Sequence, residues 1–342
     1  RLRLENLRIA NGYLLKTSGG GLYLVGGDVR LTNCVFSNNR VSNNSSAPPS
    51  YGAGIYAAGS RLALWDCLFL TNRVEQNGCC HDSLGGAVYA SGSVLDVRRC
   101  RFIQNYVSAK HYLVYGGALA LSGGQMNLAD SIFATNRADA VNDSSVTHYG
   151  GAIYASGVNP LNIERCSFAG NYVRTSGAGG AMYVDGAAGS ARVFRCVFVT
   201  NGATGFIGDV RMAGGAVRLE NSLIRASRTR GLWVGGGTVD VENCTVVHNT
   251  SWGLDVGAGT AVVRNTIFWA NPGGDLNGTM TVLNSCSTGL TPGVNGNINS
   301  DPLFEGASTG DFRLARGSLA IDGGQNRSWM IGALDLAGED RI

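Results

Sequence analysis

Four side chains in the second half of the chain have the types and spacing for carbohydrate chemistry: Asp209, Arg211, Trp233 and Asp255, with Asp185 ahead of them. A carboxylate serves as general acid or base, an arginine grips a uronate carboxylate through two parallel bonds, and an indole face suits a sugar ring. A polysaccharide lyase would combine an arginine or lysine base with an acidic Ca²⁺ cluster, whereas a glycosidase would use paired carboxylates. On that reading Arg211 holds the uronate and Asp209 or Asp255 moves the proton. The competing reading is that these are polar residues on a solvated face. A second set is aromatic and recurs through the first half: Tyr23, Tyr56, Tyr89, Tyr154 and Tyr183, with Ala120 in the one gap and Trp233 further on. A third is sulfur. Cys34, Cys67, Cys100, Cys166, Cys196 and Cys244 recur at one register, while Cys79 and Cys80 are adjacent beside His81 and Asp82.

The elements that position these groups follow from an internal repeat. A small residue, an aromatic two positions on and an asparagine three further recur as Cys34, Phe36 and Asn39, then Cys67, Phe69 and Asn72, then Cys100, Phe102 and Asn105. Further copies centre on Phe133, Phe168, Phe198, Ile224, Val246 and Phe268, with Ile9 before them and Ser285 after, which makes eleven anchors. The shortest complete unit, residues 231–253, alternates apolar and polar positions with period two over three short segments broken by glycine and asparagine turns. That is the signature of strands. Three strands closing a coil, each pairing with its counterpart one coil later, make a parallel β-helix, and parallel crossovers are right-handed. The fold expected is therefore all-β: a right-handed parallel β-helix of about eleven coils over residues 1–290, with a C-terminal capping segment at 291–342. At about 4.8 Å per coil the rod is roughly 50 Å long.

The columns now acquire places. The cysteines stack inward as small apolar side chains, and no His or Cys has the spacing to complete a metal shell. The asparagines form a turn column, in which Asn adopts the left-handed conformation and bonds along the stack. Cys79 and Cys80 lie in an insertion where a vicinal disulfide or other bridges are conceivable, and lone Cys286 makes the count odd. Every long unit grows between the Asn turn and the next glycine pair, at residues 40–51, 73–84, 106–115, 137–149 and 172–178, so the insertions emerge as a wall of loops on one side. His81, His111 and His148 belong to it as solvated loop residues, and His248 points outward at a turn. The tyrosines form an outward column beside that wall, continued by Arg211, Trp233 and Asp255. Either the loops cover it as a second small core, or it is an open aromatic groove for a ligand.

Composition narrows the function classes. With 51 glycines, 6 prolines, 15% charged residues and a net charge of +3, the basic residues are spread thinly, so no nucleic acid is expected. No apolar run is long enough for a transmembrane segment. The chain opens in mid-pattern at Arg1-Leu2-Arg3-Leu4, so an export signal is expected to lie outside it.

The paired motifs Gly85-Gly86-Ala87-Val88, Gly116-Gly117-Ala118-Leu119, Gly150-Gly151-Ala152-Ile153 and Gly179-Gly180-Ala181-Met182, each followed by a Phe-x-x-Asn copy, resemble the repeats of polymorphic outer-membrane protein passengers over about residues 20–201. In unit seven, Gly214-Gly215-Ala216-Val217 falls in a different register. Asp301-Pro302-Leu303-Phe304, residues 317–322 and 334–338 are similar to the closing segment of large secreted bacterial β-helix proteins. The resemblance implies export and an extracellular or surface address. The G-H-G and N-T-D signatures of polygalacturonase-like glycosidases are absent, and Lys16 and Lys110 are the only lysines. The function expected is an adhesin-like recognition or scaffold domain that binds a polysaccharide or cell-surface protein through the insertions and through Tyr23, Tyr56, Tyr89, Tyr154, Tyr183 and Trp233. The alternatives are a carbohydrate-active enzyme, lyase before hydrolase, using Asp209, Arg211 and Asp255, and a structural spacer. No cofactor is called for, Ca²⁺ being the ion that the lyase alternative would bring.

Overall fold

A computed structural model describes the chain apart from residues 45–48, 79–80, 111, 141–147, 175–176, 205–207 and 341–342. The most regular part is a ten-stranded parallel sheet of three-residue strands, from Arg8–Ala10 through Val35–Ser37 and Arg101–Ile103 to Ile267–Trp269. Each strand is short because left-handed residues bracket it. Asn33 and Asn38 flank Val35–Ser37, and Arg99 and Gln104 flank Arg101–Ile103, all with φ between 50 and 55°. Phe36, Phe69, Phe102, Phe133, Phe168 and Phe198 are in exact register and fully buried. Neighbouring rings stack at 4.7–5.0 Å. Each such ring contributes roughly 2 kcal/mol or more by leaving water. The sheet counts ten rungs rather than eleven, because the last anchor reaches it only through a bridge between Ile267 and Cys286.

The asparagine column is a hydrogen-bonded ladder. Asn72 Nδ2 donates to Asn105 Oδ1 at 2.9 Å and to the Phe36 carbonyl at 2.9 Å, and the same pair of bonds repeats at Asn105, Asn136 and Asn171. The left-handed residue is the one before each asparagine, such as Thr71, Gln104 or Thr135, and not the asparagine itself. The carboxamide is needed inside, where it satisfies backbone that the turn would leave unpaired. The cysteine column is inward as expected: Cys34, Cys67, Cys100, Cys166, Cys196 and Cys244 are buried thiols, and Cys100 Sγ donates to the Leu64 carbonyl. Cys79 and Cys80 lie outside the described residues.

Each coil contributes two further strands, such as Leu22–Val25 and Asp28–Thr32, to two parallel ladders that join into a 19-stranded sheet through the long strands Trp252–Arg264 and Gly274–Leu283. The Gly-Gly-Ala motif precedes the first of them. Gly85 has φ +65°, and a Cβ on Gly86 would lie 2.2 Å from the Gly117 carbonyl of the next coil. A side chain on either would force adjacent coils apart.

In their described residues the insertions are not a wall of loops. They open with a seven-stranded parallel sheet, including Arg40–Asn43, Arg73–Gln76 and Tyr106–Ala109, and return through a five-stranded one, including Ser50–Tyr51, Ser83–Leu84, Val114–Tyr115 and His148–Tyr149. Between them lies a second core of Val41, Val74, Val107, Val114, Ala138 and Val173. An exported loop would leave its backbone to water, whereas stacked insertions pair it coil to coil. His148, expected in a solvated loop, is fully buried there.

Beyond Ile298 the chain turns back along the flank of the rod. An antiparallel pair, Phe304–Gly306 and Asp311–Leu314, sets Phe312 5.9 Å from the His248 ring. Asn265 and Gln325 exchange two hydrogen bonds of 2.9 and 2.8 Å, and Trp329 Nε1 donates to Glu242 at 3.3 Å. No helix among the described residues is long and apolar enough to cross a membrane.

Candidate binding face

The outward column is continuous and in register. Tyr23, Tyr56, Tyr89, Ala120, Tyr154, Tyr183, Arg211, Trp233, Asp255 and Asn277 follow one another on ten successive coils. A second column faces it from the five-stranded sheet: Tyr51, Leu84, Tyr115, Tyr149 and Ala178. The two interleave, with Tyr51 4.6 Å from Tyr89, Tyr115 4.5 Å from Tyr154 and Tyr149 4.5 Å from Tyr183. Burial pushes the phenols of Tyr89, Tyr154 and Tyr183 above their ordinary range, and that of Tyr51 up to about 12. Tyr89 and Tyr183 retain 9% and 6% exposure. Of the two arrangements expected for the column, its middle takes the covered one: Tyr89 and Tyr183 are closed into an aromatic seam.

The column is exposed at Tyr23, beside half-buried Tyr56. Their rings stack in parallel, 4.7 Å apart and 8° from coplanar, and Tyr23 is 56% exposed. Ser18 explains the opening. Its hydroxyl accepts the Tyr51 backbone N–H, which places it one coil before Tyr51 in the covering column, where it is too short to roof Tyr56. Sequence reasoning missed the covering column, although Tyr51, Tyr115 and Tyr149 each stand directly before a turn glycine, a register shared by Leu84 and Ala178.

The three catalytic candidates do not converge as an acid–base site. Asp209 precedes the inward Val210 and is wholly buried, its Oδ2 accepting from Asn201 Nδ2 at 3.1 Å. It ends the first asparagine ladder at the coil where Ser227 stands in the asparagine position. Asp275 does the same for Asn271, at 2.8 Å, and also accepts from Ser287 and Thr288. Burial raises the Asp209 carboxyl to about 8, with bonds from Asn201 and the Ala181 backbone pulling it the other way. Asp255 lies in the outward column but is 4% exposed, held by an ion pair to Arg230 and a 2.8 Å bond from Asn277. Arg211 is stacked between aromatic rings, its guanidinium 5.0 Å from Tyr183 and 4.2 Å from Trp233, and desolvation lowers its pKa. The half-buried Trp233 ring lies against Gly235 and Gly257. Cation–π stacking thus engages Arg211, so the charge expected to grip a uronate is partly spent within the fold.

Among the described residues no group of three or more His, Cys, Asp or Glu side chains converges to hold a metal ion. A groove of about 420 Å³ lies on the strands Leu2–Glu5, Asp28–Thr32, Arg61–Trp65 and Val94–Arg98, lined by Arg1, Arg3, Arg30, Arg61, Asp28 and Asp96 among others.

A family model for the right-handed β-helix region matches residues 125–288, a little under half of the chain. That match agrees with the coil geometry, and the chain is a right-handed parallel β-helix. No curated protein and no solved structure matches the chain.

Proposed function

We propose that this β-helix is a recognition and scaffold domain of an exported bacterial surface protein, adhesin-like, that binds a glycan. The observation that carries the reading is the exposed Tyr23, whose phenol ring stacks in parallel on that of half-buried Tyr56 on the next coil. Exposed aromatic rings on a rigid scaffold offer large contact area at little entropic cost, because the backbone beneath them is already fixed. Trp233 is the secondary contact, and Tyr89, Tyr154 and Tyr183 support the face from beneath. Extracellular display accords with the resemblance of the Gly-Gly-Ala and Phe-x-x-Asn repeats to outer-membrane passengers. Carbohydrate-active catalysis is disfavoured by the burial and bonding of Asp209 and Asp255, and a bare spacer by the exposed Tyr23 ring.

The test is retention of the purified chain on a panel of immobilised polysaccharides, with new reducing or unsaturated ends measured in parallel, with and without Ca²⁺. The expected result is retention without cleavage, abolished in Tyr23→Ala/Tyr56→Ala while the melting curve is unchanged. Retention that survives the double substitution overturns the assignment of the face, and new ends overturn the non-enzymatic reading.

A further inference from the structure

The chain carries 12 tyrosines, and most are shielded from water. Tyr13, Tyr23 and Tyr112 are the exposed ones. Tyr23 has a second phenol against it. Its ring lies 4.7 Å from that of half-buried Tyr56 and 8° from coplanar. The backbone fixes this contact, because Leu22–Val25 pairs in parallel with Ile55–Ala58 and sets Tyr23 directly opposite Tyr56. Beyond Tyr56 the rings continue to Tyr89 at 5.6 Å, and from there to Tyr51 at 4.6 Å. Four phenols therefore lie in series, and Tyr23 is the exposed end. The exposed ring of Tyr13 instead faces the Arg40 guanidinium, at 5.6 Å.

From this geometry we infer that Tyr23 and Tyr56 form an oxidative cross-link site, at which a peroxidase or another one-electron oxidant joins the two rings as dityrosine. Each phenol gives up one electron and its hydroxyl proton, which leaves a phenoxyl radical whose unpaired electron is shared with the ring carbons ortho to the oxygen. The two radicals couple through one ortho carbon of each ring. The hydrogen on each of those carbons then returns to the phenol oxygen, so both hydroxyls are restored. Two electrons and two protons leave in all, and they reduce one hydrogen peroxide to two water molecules. Tyr23 meets the oxidant and releases its proton to water. Contact between the rings lets the radical pass to Tyr56, and a second oxidation of Tyr23 sets two radicals side by side. Coupling requires one ring to tilt towards the other. Tyr23 has that freedom, because it heads the column and is 56% exposed, whereas Tyr89 is held between Tyr56 and Tyr51 and is 9% exposed. The bond closes residues 23–56 into a loop and ties together the first two coils of the tyrosine column. A terminal coil of a solenoid has only one neighbour to hold it, so a covalent tie acts there on the part most prone to open.

The chain is treated at low protein concentration with hydrogen peroxide and a haem peroxidase, then separated by size, weighed intact and digested with trypsin. The expected result is a monomer lighter by two hydrogens that fluoresces as dityrosine, with residues 17–30 joined to residues 41–61. Tyr51 lies on the second of those peptides, so fragmentation must place the bond at Tyr56. Tyr23→Phe and Tyr56→Phe keep both rings and remove one phenol, and each should abolish the monomer cross-link with the melting curve unchanged. Tyr13→Phe should leave it intact. A treated monomer that loses no hydrogens overturns the proposal, and so does dityrosine found only in covalent dimers, which would make Tyr23 a point of attachment between chains. A cross-link that persists in Tyr23→Phe, or that maps to Tyr51, overturns the assignment to this pair. Glycan retention is read on the untreated chain, so the failure of either result leaves the other standing.

Discussion

Asp209→Asn should make the protein more stable, and by an amount that grows with pH. The side chain is wholly buried at the end of the asparagine ladder, and its folded-state carboxyl is raised to about 8 against an ordinary value of 3.8. A carboxyl with a raised folded pKa binds its proton more tightly in the native state. Its contribution is most favourable below the unfolded pKa and is lost as pH rises from about 4 toward 8. Each pKa unit is worth about 1.4 kcal/mol, so ionisation of the unfolded chain costs the native state ~4 kcal/mol by pH 7 relative to pH 3. Asparagine keeps the acceptor for Asn201 Nδ2, has nearly the same shape and does not ionise. The assay is urea unfolding of parent and variant from pH 4 to 8, compared as midpoints with the slopes checked for equality, because a solenoid need not unfold in one step. The two should coincide within about 1 kcal/mol at pH 4, with the variant ahead by several kcal/mol at pH 8. A pH-independent difference, or a variant less stable at pH 7, would refute the neutral buried carboxyl.

Other substitutions report on other parts of the architecture. Phe102→Ala, in the middle of the ring stack, should cost about 3–5 kcal/mol in chemical unfolding, and a loss under 1 kcal/mol would mean that the stack contributes little. Asn105→Ala removes two donors and an acceptor shared by Asn72, Asn136 and the Phe69 carbonyl, and should cost about 3 kcal/mol or more; hydrogen exchange should rise first at these turns. Asn265→Ala/Trp329→Ala should release residues 301–340 from the flank and speed tryptic cleavage at Arg316 about tenfold with the rod's melt unchanged; an unaltered rate would assign the attachment to apolar packing instead.

The fold was legible because one coil must look like the next. The Phe, Cys and Asn columns recur where strand pairing demands identical neighbours, and even the change from Tyr183 to Arg211, Trp233 and Asp255 could be followed by register. What the columns touch was less legible. Val41, Val74, Val107, Ala138 and Val173 stand two residues after each ladder asparagine, a strand pattern that was hidden by treating the insertions as loops. Which of the two arrangements the tyrosines would take was not legible, because the covering Tyr51, Tyr115 and Tyr149 come from segments whose length varies and whose return to a common register appears only in three dimensions. Asp209 and Asp255 carry acid chemistry in principle, but burial and partners decide their roles. A ladder that meets Ser227 in place of an asparagine needs a substitute acceptor, and Asp209 supplies it.

The most direct test of the central claim is hydroxyl-radical footprinting of the tyrosines in the free protein and with a retained glycan. The account predicts that Tyr23 and Tyr56 are labelled when free and protected when bound, while Tyr89 and Tyr183 stay unlabelled in both states. Labelling of Tyr89 and Tyr183 in the folded protein, or unprotected Tyr23 and Tyr56 in the complex, would contradict it.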